Sequence, residues 1–389
     1  MTGDTRPSRI SRNVGRRAFL KQGSALVAAV GAGACTGPSR KSRVPASRSA
    51  TPITWRVQAH LGGDTASFRA FKRFCANIGE LSEGDLVFEP YPPGAIVGVF
   101  DMFDAVKAGA LDGASFPPFY PADTIPALAF LSSYPLGLDR PDQWETWFYE
   151  LGGLELARKI HDPHNIRFVG PVQHDLNIIH SNVPIRSFED FRGKRLRVPG
   201  GIIADVFAAA GAKTVVASAD QIYAAMENGT IDAADFVGPG VNFELGYANI
   251  ARYIILGPPS TPSIHQPCDL FCVLANLGRW RALPKHLQDV VEYAARRYSW
   301  DHYVSIQRAN TLSWAKYKDK GVEILRLSEA DVAKFRKVAI PIWFKWAKLS
   351  PLGREALASQ LAYMKSPAVS YVRDDSLVDA SGKKLSIDD

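Results

Sequence analysis

The sequence predicts an α/β protein folded as two lobes, with mixed sheets, flanking helices and a helical C-terminal region. Three observations carry this. Strand-like and helix-like segments alternate in two successive rounds. From Pro284 onward the apolar residues fall at helical spacing. The chain is 389 residues long, 46% hydrophobic and 22% charged, enough for a large core divided between lobes.

The first round opens with a strand at Ile53–Ala59. A helix follows at Ala66–Leu81, whose Phe68, Phe71, Phe74 and Ile78 share one face. Leu86–Pro90 is the next strand, then a helix around Asp101–Ala108 and a short buried run at Gly113–Phe116. The second round has strands at Asn165–Gly170, Asn177–Ser181, Arg195–Val198, Thr214–Val216 and Asp235–Val237, with helices from Ile202 to Ala210 and Asp220 to Asn228. Strands and helices in this order make a parallel or mixed sheet covered on both faces. Helices are expected at Pro284–Ala315 or beyond, Ser328–Leu349 and Gly353–Met364, with Trp300, Trp314, Trp343 and Trp346 on apolar faces that brace the lobes. Residues 52–170 are assigned mainly to the N-terminal lobe and 171–270 mainly to the C-terminal lobe. Residues 271–389 supply a crossover strand and helices spanning both.

The net charge of +7 does not mark a nucleic-acid binder. Residues 1–51 hold ten Lys or Arg against the single acid Asp4, so that segment is +9 and the remaining chain is −2. The body has no basic excess for phosphates. The charge belongs to a leader, residues 1–35: Gly15-Arg16-Arg17-Ala18-Phe19-Leu20-Lys21 followed by a weakly apolar run looks like a twin-arginine export signal, which implies a periplasmic destination. Ala32-Gly33-Ala34-Cys35 offers two readings, ordinary cleavage or a lipid-bearing Cys35 that anchors the chain to the membrane. Residues 36–51 read as a flexible linker. The longest apolar run, Ala25 to Cys35, is too short to span a bilayer.

The body contains none of HExxH, CxxC, GxSxG or GxxxxGK[ST]. His161-Asp162-Pro163-His164 reads as a solvated helix end, and Cys75, Cys268 and Cys272 as buried thiols or an occasional pair. His174, Asp175 and His180 share one segment and define an alternative function, an exported enzyme. If they lay in one strand, alternation would put Asp175 on the face opposite both histidines.

One constellation holds together. Gly193-Lys194-Arg195-Leu196-Arg197-Val198 ends in Pro199-Gly200-Gly201 and a helix start. An arginine at the carboxyl end of a strand offers a planar fork to a carboxylate, and the helix start adds unpaired N–H groups. Arg195 and Arg197 fall on the same face, so spacing does not choose between them.

This segment, with the run Glu227-Asn228-Gly229-Thr230-Ile231-Asp232-Ala233-Ala234-Asp235-Phe236-Val237-Gly238-Pro239, resembles the solute-binding proteins of TRAP (tripartite ATP-independent periplasmic) transporters, most closely the branch that binds 2-oxoacids and lactate. The resemblance extends over most of the body. It implies a type II-like, two-lobed binding protein that captures a small monocarboxylate and delivers it to membrane permease subunits, without catalysis. It points to Arg197 as the carboxylate clamp, Asp235 and Phe236 as the acid and aromatic of the site, and Asn177, then Gln173, as the amide. Phe119 and Tyr120 match an aromatic loop lining the cleft, with core packing the competing reading.

In that branch the acid is usually Glu and the aromatic Trp, and a Na⁺ or Ca²⁺ ion bridges protein and ligand. Here Asp235 is one methylene shorter, and Ile264-His265-Gln266-Pro267 stands where another carboxylate is expected. Asp235 either holds such a cation or pairs with Arg197. Some relatives dimerise through an exchanged C-terminal helix, for which Gly353–Met364 is the candidate. A sensory receptor on the same fold is a third reading.

Overall fold

The computed structural model describes residues 51–387; the leader, Cys35 and most of the linker lie outside the described residues. The first lobe is built from β1 (Ile53–Ala59), α1 (Ala66–Leu81), β2 (Leu86–Tyr91), α2 (Met102–Ala108), β3 (Gly113–Phe116), α3 (Pro141–Glu150), α4 (Gly153–His161) and β4 (Ile166–Gln173). The second holds β5 (Ile178–Ser181), β6 (Arg195–Val198), α5 (Gly201–Ala209), β7 (Lys213–Val216), α6 (Ala219–Glu227), β8 (Ala233–Phe236), α7 (Pro239–Glu244) and β9 (Tyr253–Leu256). The chain ends with β10 (Leu270–Asn276), α8 (Leu277–Ala282), α9 (Lys285–Asp319), β11 (Glu323–Arg326), α10 (Glu329–Ala347) and α11 (Pro351–Lys365).

Both sheets are mixed. The first runs β2-β1-β3-β10-β4, with β10 antiparallel to both neighbours. The second runs β11-β9-β5-β8-β6-β7, with β5 antiparallel to β8 and β9. The chain therefore passes between lobes at residues 174–177, returns at 257–269, and passes again along α9.

Local chemistry explains the long elements. Thr65 caps α1 by accepting from the Phe68 amide at 3.2 Å, which satisfies one of the orphan N–H groups of the first turn. The buried face of α1 then meets α9, where Phe74 stacks on Tyr298 with centroids 4.8 Å apart. Near its other end α9 places Tyr317 beside Phe243 of the second lobe, so this 35-residue helix ties the lobes together. Ser328 and Asp331 form a capping box at the start of α10.

The structure departs from the sequence reading at several places and agrees with it at others. Helices α3 and α4 are additions to it; Trp144, Trp147 and Phe148 of α3 are wholly buried. β4 runs on to Gln173, three residues past the expected lobe boundary. Trp343 and Trp346 are core, but Trp300 is 41% exposed, because it lies on the outer face of α9. His161 is buried rather than solvated, its Nδ1 2.7 Å from the Ala157 carbonyl. Gln360 of α11 donates to the Phe130 carbonyl at 2.7 Å and accepts from the Tyr134 hydroxyl at 2.8 Å. Cys75, Cys268 and Cys272 are buried free thiols. Among the described residues no helix is long and apolar enough to cross a membrane.

Candidate functional site

β6 lies between β7 and β8 and parallel to both, so its carboxyl end opens toward the first lobe beside that of β8. The two arginines of β6 separate here. Arg195, at the strand's exposed start, pairs with Asp232 at 2.5 Å. Arg197 is 1% exposed. Its Nε donates to the Ala217 carbonyl at 2.8 Å and its Nη1 to the Asp235 carbonyl at 2.6 Å. The guanidinium carbon sits 5.1 Å from the centre of the Phe236 ring, a cation–π contact. Gly200, at φ +104°, makes the turn out of β6 that a side chain would resist.

Asp235 is fully buried, and only its Oδ1 is satisfied, by His265 Nε2 at 2.8 Å. Its Oδ2 lies 3.8 Å from Arg197 Nη1 and makes no hydrogen bond. Asn177 precedes β5, which pairs with β8. Its amide nitrogen donates to Gln266 Oε1 at 2.9 Å while its Oδ1 is buried and unpaired. Buried polar atoms are normally paired, so the open oxygens of Asp235 and Asn177 near Arg197 mark a place built for something else to fill.

Tyr120 reaches this region from the first lobe. Burial pushes its phenol well above the usual tyrosine range, and the charge of Arg197 opposes that rise. Phe119 is buried and packs edge-on against Tyr120 at 5.5 Å, a supporting position. Gln173 does not join the site; its amide turns to Glu145 at 3.2 Å, and it lies at the end of β4 in the other sheet.

Sequence reasoning missed two histidines. His265 lies on the returning segment, and its pairing with Asp235 spans thirty positions with no local signal. His60 follows β1 and sits edge-on to Phe271 at 4.3 Å. Burial holds its pKa well below the usual value, and the electrostatic influence of His174, His302 and Arg197 pushes the same way.

The alternative catalytic set is not assembled. The segment bearing it is not one strand, since β4 ends at Gln173 and β5 begins at Ile178. His174 Nδ1 contacts Asp175 Oδ1, but Asp175 is engaged structurally: it accepts from Asn310 Nδ2 at 2.7 Å and from the Gly238 amide at 3.2 Å. His180 stands apart, 3.1 Å from the Tyr317 hydroxyl, and burial lowers its pKa to about 3. Nearby Asp269 is pushed up to about 7 by burial, while Ser132 Oγ and the Leu270 amide favour its charged form. A cavity of about 520 Å³ lies between the lobes, with His60 and Val99 on one wall and Ser218, Leu245 and Tyr247 on the other.

The chain resembles known proteins over most of the described residues. A monocarboxylate 2-oxoacid-binding periplasmic protein of Nostoc sp. is 29% identical over 244 residues, 62% of this chain and 65% of that protein, so the match spans just under two thirds of the relative's length. A TRAP periplasmic solute-binding protein of Rhodobacter sphaeroides, solved in an apo open state, superposes with a TM-score of 0.63 at 28% identity, covering 81% of this chain and 99% of that one. A TRAP solute-binding protein of Bordetella bronchiseptica, solved as a dimer with calcium and picolinate, gives a TM-score of 0.77 at 22% identity, covering 82% and 94%. Residues 59–349 match one family throughout, and on that match the chain belongs to bacterial extracellular solute-binding protein family 7, DctP, a family of binding proteins rather than enzymes.

Proposed function

We propose that this protein is the extracytoplasmic receptor of a TRAP transporter, capturing a 2-oxo or 2-hydroxy monocarboxylate between its lobes and handing it to membrane permease subunits. The twin-arginine leader fits export to the periplasm. One observation carries the reading: the buried Arg197, its Nε and Nη1 fixed by backbone carbonyls, lies in one region with the open Oδ2 of Asp235 and Oδ1 of Asn177. A guanidinium so placed, two of its nitrogens already fixed, is pre-organised for a carboxylate. Phe236 holds its plane from below. The open oxygens of Asn177 and Asp235 would accept from a 2-hydroxyl, whereas a 2-oxo oxygen, which only accepts, would take its hydrogen bond from the Arg197 guanidinium. Tyr120 closes the site from the first lobe.

The residues present do not suit a bridging Na⁺ or Ca²⁺. A calcium ion takes six to eight oxygen ligands, and any hard cation needs oxygen donors. Here one Asp235 oxygen is held by an imidazole and the other faces a guanidinium. Among the described residues no cluster of three or more His, Cys, Asp or Glu is placed to hold a metal. In this reading His265 and Arg197 together supply the polar surroundings of Asp235.

The lobes meet at the crossings 174–177 and 257–269, the places where closure would bend the chain. A thermal-shift screen of organic acids tests the reading: 2-oxo and 2-hydroxy monocarboxylates raise the melting temperature, while amino acids, sugars and nucleotides leave it unchanged. Stabilisation by one of those other classes, with none by the monocarboxylates, would refute it.

A further inference from the structure

We infer that a pocket on the flank of the lobe junction is a docking site for an acidic segment of another protein. It is separate from the interlobe cavity, with which it shares no residue. The inference goes beyond the receptor reading and does not depend on which acid the cleft captures. The pocket, about 310 Å³, is walled by α1 of the first lobe, α7 of the second and the long helix α9. α1 contributes Arg69 and Arg73, α9 contributes Arg308 and Lys316, and the acid in the wall is Glu244 of α7.

Four cations therefore face one acid, a local excess of +3, in a body whose residues 52–389 sum to −2. Surface cations ordinarily stand apart in solvent; these converge from two helices on one concavity, where their mutual repulsion favours an incoming anion. Glu244 does not neutralise them, because it is already engaged. Its Oε1 lies 2.9 Å from Arg69 Nη2, and its Oε2 accepts from the Ala66 amide at 2.7 Å. Among the described residues Arg73, Arg308 and Lys316 have no ion-pair partner. Two of these three are held by uncharged neighbours. Arg73 Nη2 donates to Ser305 Oγ at 3.0 Å, and Lys316 Nζ lies 5.3 Å from the centre of the Phe243 ring. Cations oriented this way keep their attraction for a carboxylate, and each guanidinium offers a two-point fork.

Shape favours a protein segment over a free inorganic ion. The pocket is larger than one oxyanion fills, and Phe243 and the 49% exposed Leu312 add apolar surface that a bare ion does not use. The position links docking to the cleft. Glu244 of the second lobe caps the start of α1 in the first. Leu245, next in the chain, lines the interlobe cavity together with Gly62, whose carbonyl accepts from Thr65 Oγ1 at 2.9 Å. Docked carboxylates compete with Glu244 for Arg69, at a tie between the lobes.

Fluorescence anisotropy of labelled hexaglutamate and hexaglutamine peptides, titrated with the purified protein at fixed ionic strength, tests this. Hexaglutamate is expected to bind at least tenfold more tightly than hexaglutamine. Arg73→Glu combined with Arg308→Glu should weaken it at least tenfold. Lys337→Glu combined with Lys348→Glu, exposed cations on and just after α10, makes the same change in net charge outside the pocket and should alter it less than twofold. Glu244→Gln, which removes the competing acid, should tighten hexaglutamate binding at least threefold, a gain that a misfolded variant would not give. Equal losses in the two double variants, or no gain in Glu244→Gln, would overturn the inference. Inorganic phosphate that competes as tightly as the peptide would also overturn it, since the pocket would then be a site for small anions. Failure of hexaglutamate to bind the parent protein overturns it too and leaves the receptor reading standing.

Discussion

His265 Nε2 lies 2.8 Å from Asp235 Oδ1, so a residue on the returning segment holds the acid at the heart of the second lobe's site. Both side chains are buried, at 3% and 0% exposure. The pair is a bridge between the two stretches of chain that closure must coordinate, and it occupies one of the two oxygens of that carboxylate.

Cation removal should therefore change little. Affinity for the preferred 2-oxoacid, measured calorimetrically before and after exhaustive chelation and desalting, is expected to agree within twofold. His265→Ala should weaken binding by tenfold or more, because it leaves Asp235 buried with one fewer partner, a cost of about 1–3 kcal/mol. A large loss on chelation, restored by Ca²⁺ or Na⁺, would reinstate a bridging ion.

Gly238 is fixed by the crossing. A Cβ there would stand 1.8 Å from Asp175 Oδ2, which is itself pinned by Asn310 at 2.7 Å. Gly238→Ala should lower stability by about 1–3 kcal/mol through overpacking. Urea unfolding measures this, and an unchanged midpoint would mean that the crossing is looser than its hydrogen bonds indicate.

Asp269 and His180 give opposite pH dependences. Burial raises the folded pKa of Asp269 to about 7, above its unfolded value of about 3.9, so the folded state binds its proton more tightly and stability falls as pH rises between those values. Asp269→Asn should thus gain stability relative to the parent protein at pH 8 and gain none at pH 4. His180 has its folded pKa lowered to about 3, so its contribution is present above about 6.5 and lost as pH falls toward 3. His180→Phe should flatten the acid limb of the melting-temperature profile. Profiles parallel to the parent's would show that these groups do not titrate as their burial implies.

Much of the fold was written in local patterns. The face of α1 repeats at helical spacing, and Thr65 precedes it as a cap, so both its type and its boundaries were legible. β9 was not, because Tyr253–Leu256 is a continuous apolar run that periodicity does not assign to strand or helix. α3 was hidden by its neighbours, a Pro-rich approach and three large aromatics that could have served a loop. At the site, the motif carried Arg197, Asp235 and Phe236, which β6 and β8 bring together as adjacent parallel strands. Alternation could not separate Arg195 from Arg197, because what separates them is position along the strand: the start of β6 is open to solvent and Asp232. Gln173, the second candidate for the amide after Asn177, falls in the other sheet. His265 and His60 come from distant loops, where tertiary pairing alone decides which residues meet.

The most direct test of the central claim is calorimetric titration of the best-binding 2-oxoacid into Arg197→Ala and Arg197→Lys. Loss of the fork should abolish measurable binding in the alanine variant and cost the lysine variant at least tenfold, since an ammonium keeps the charge without the planar two-point contact. Parent-like affinity in a folded Arg197→Ala protein would contradict the account.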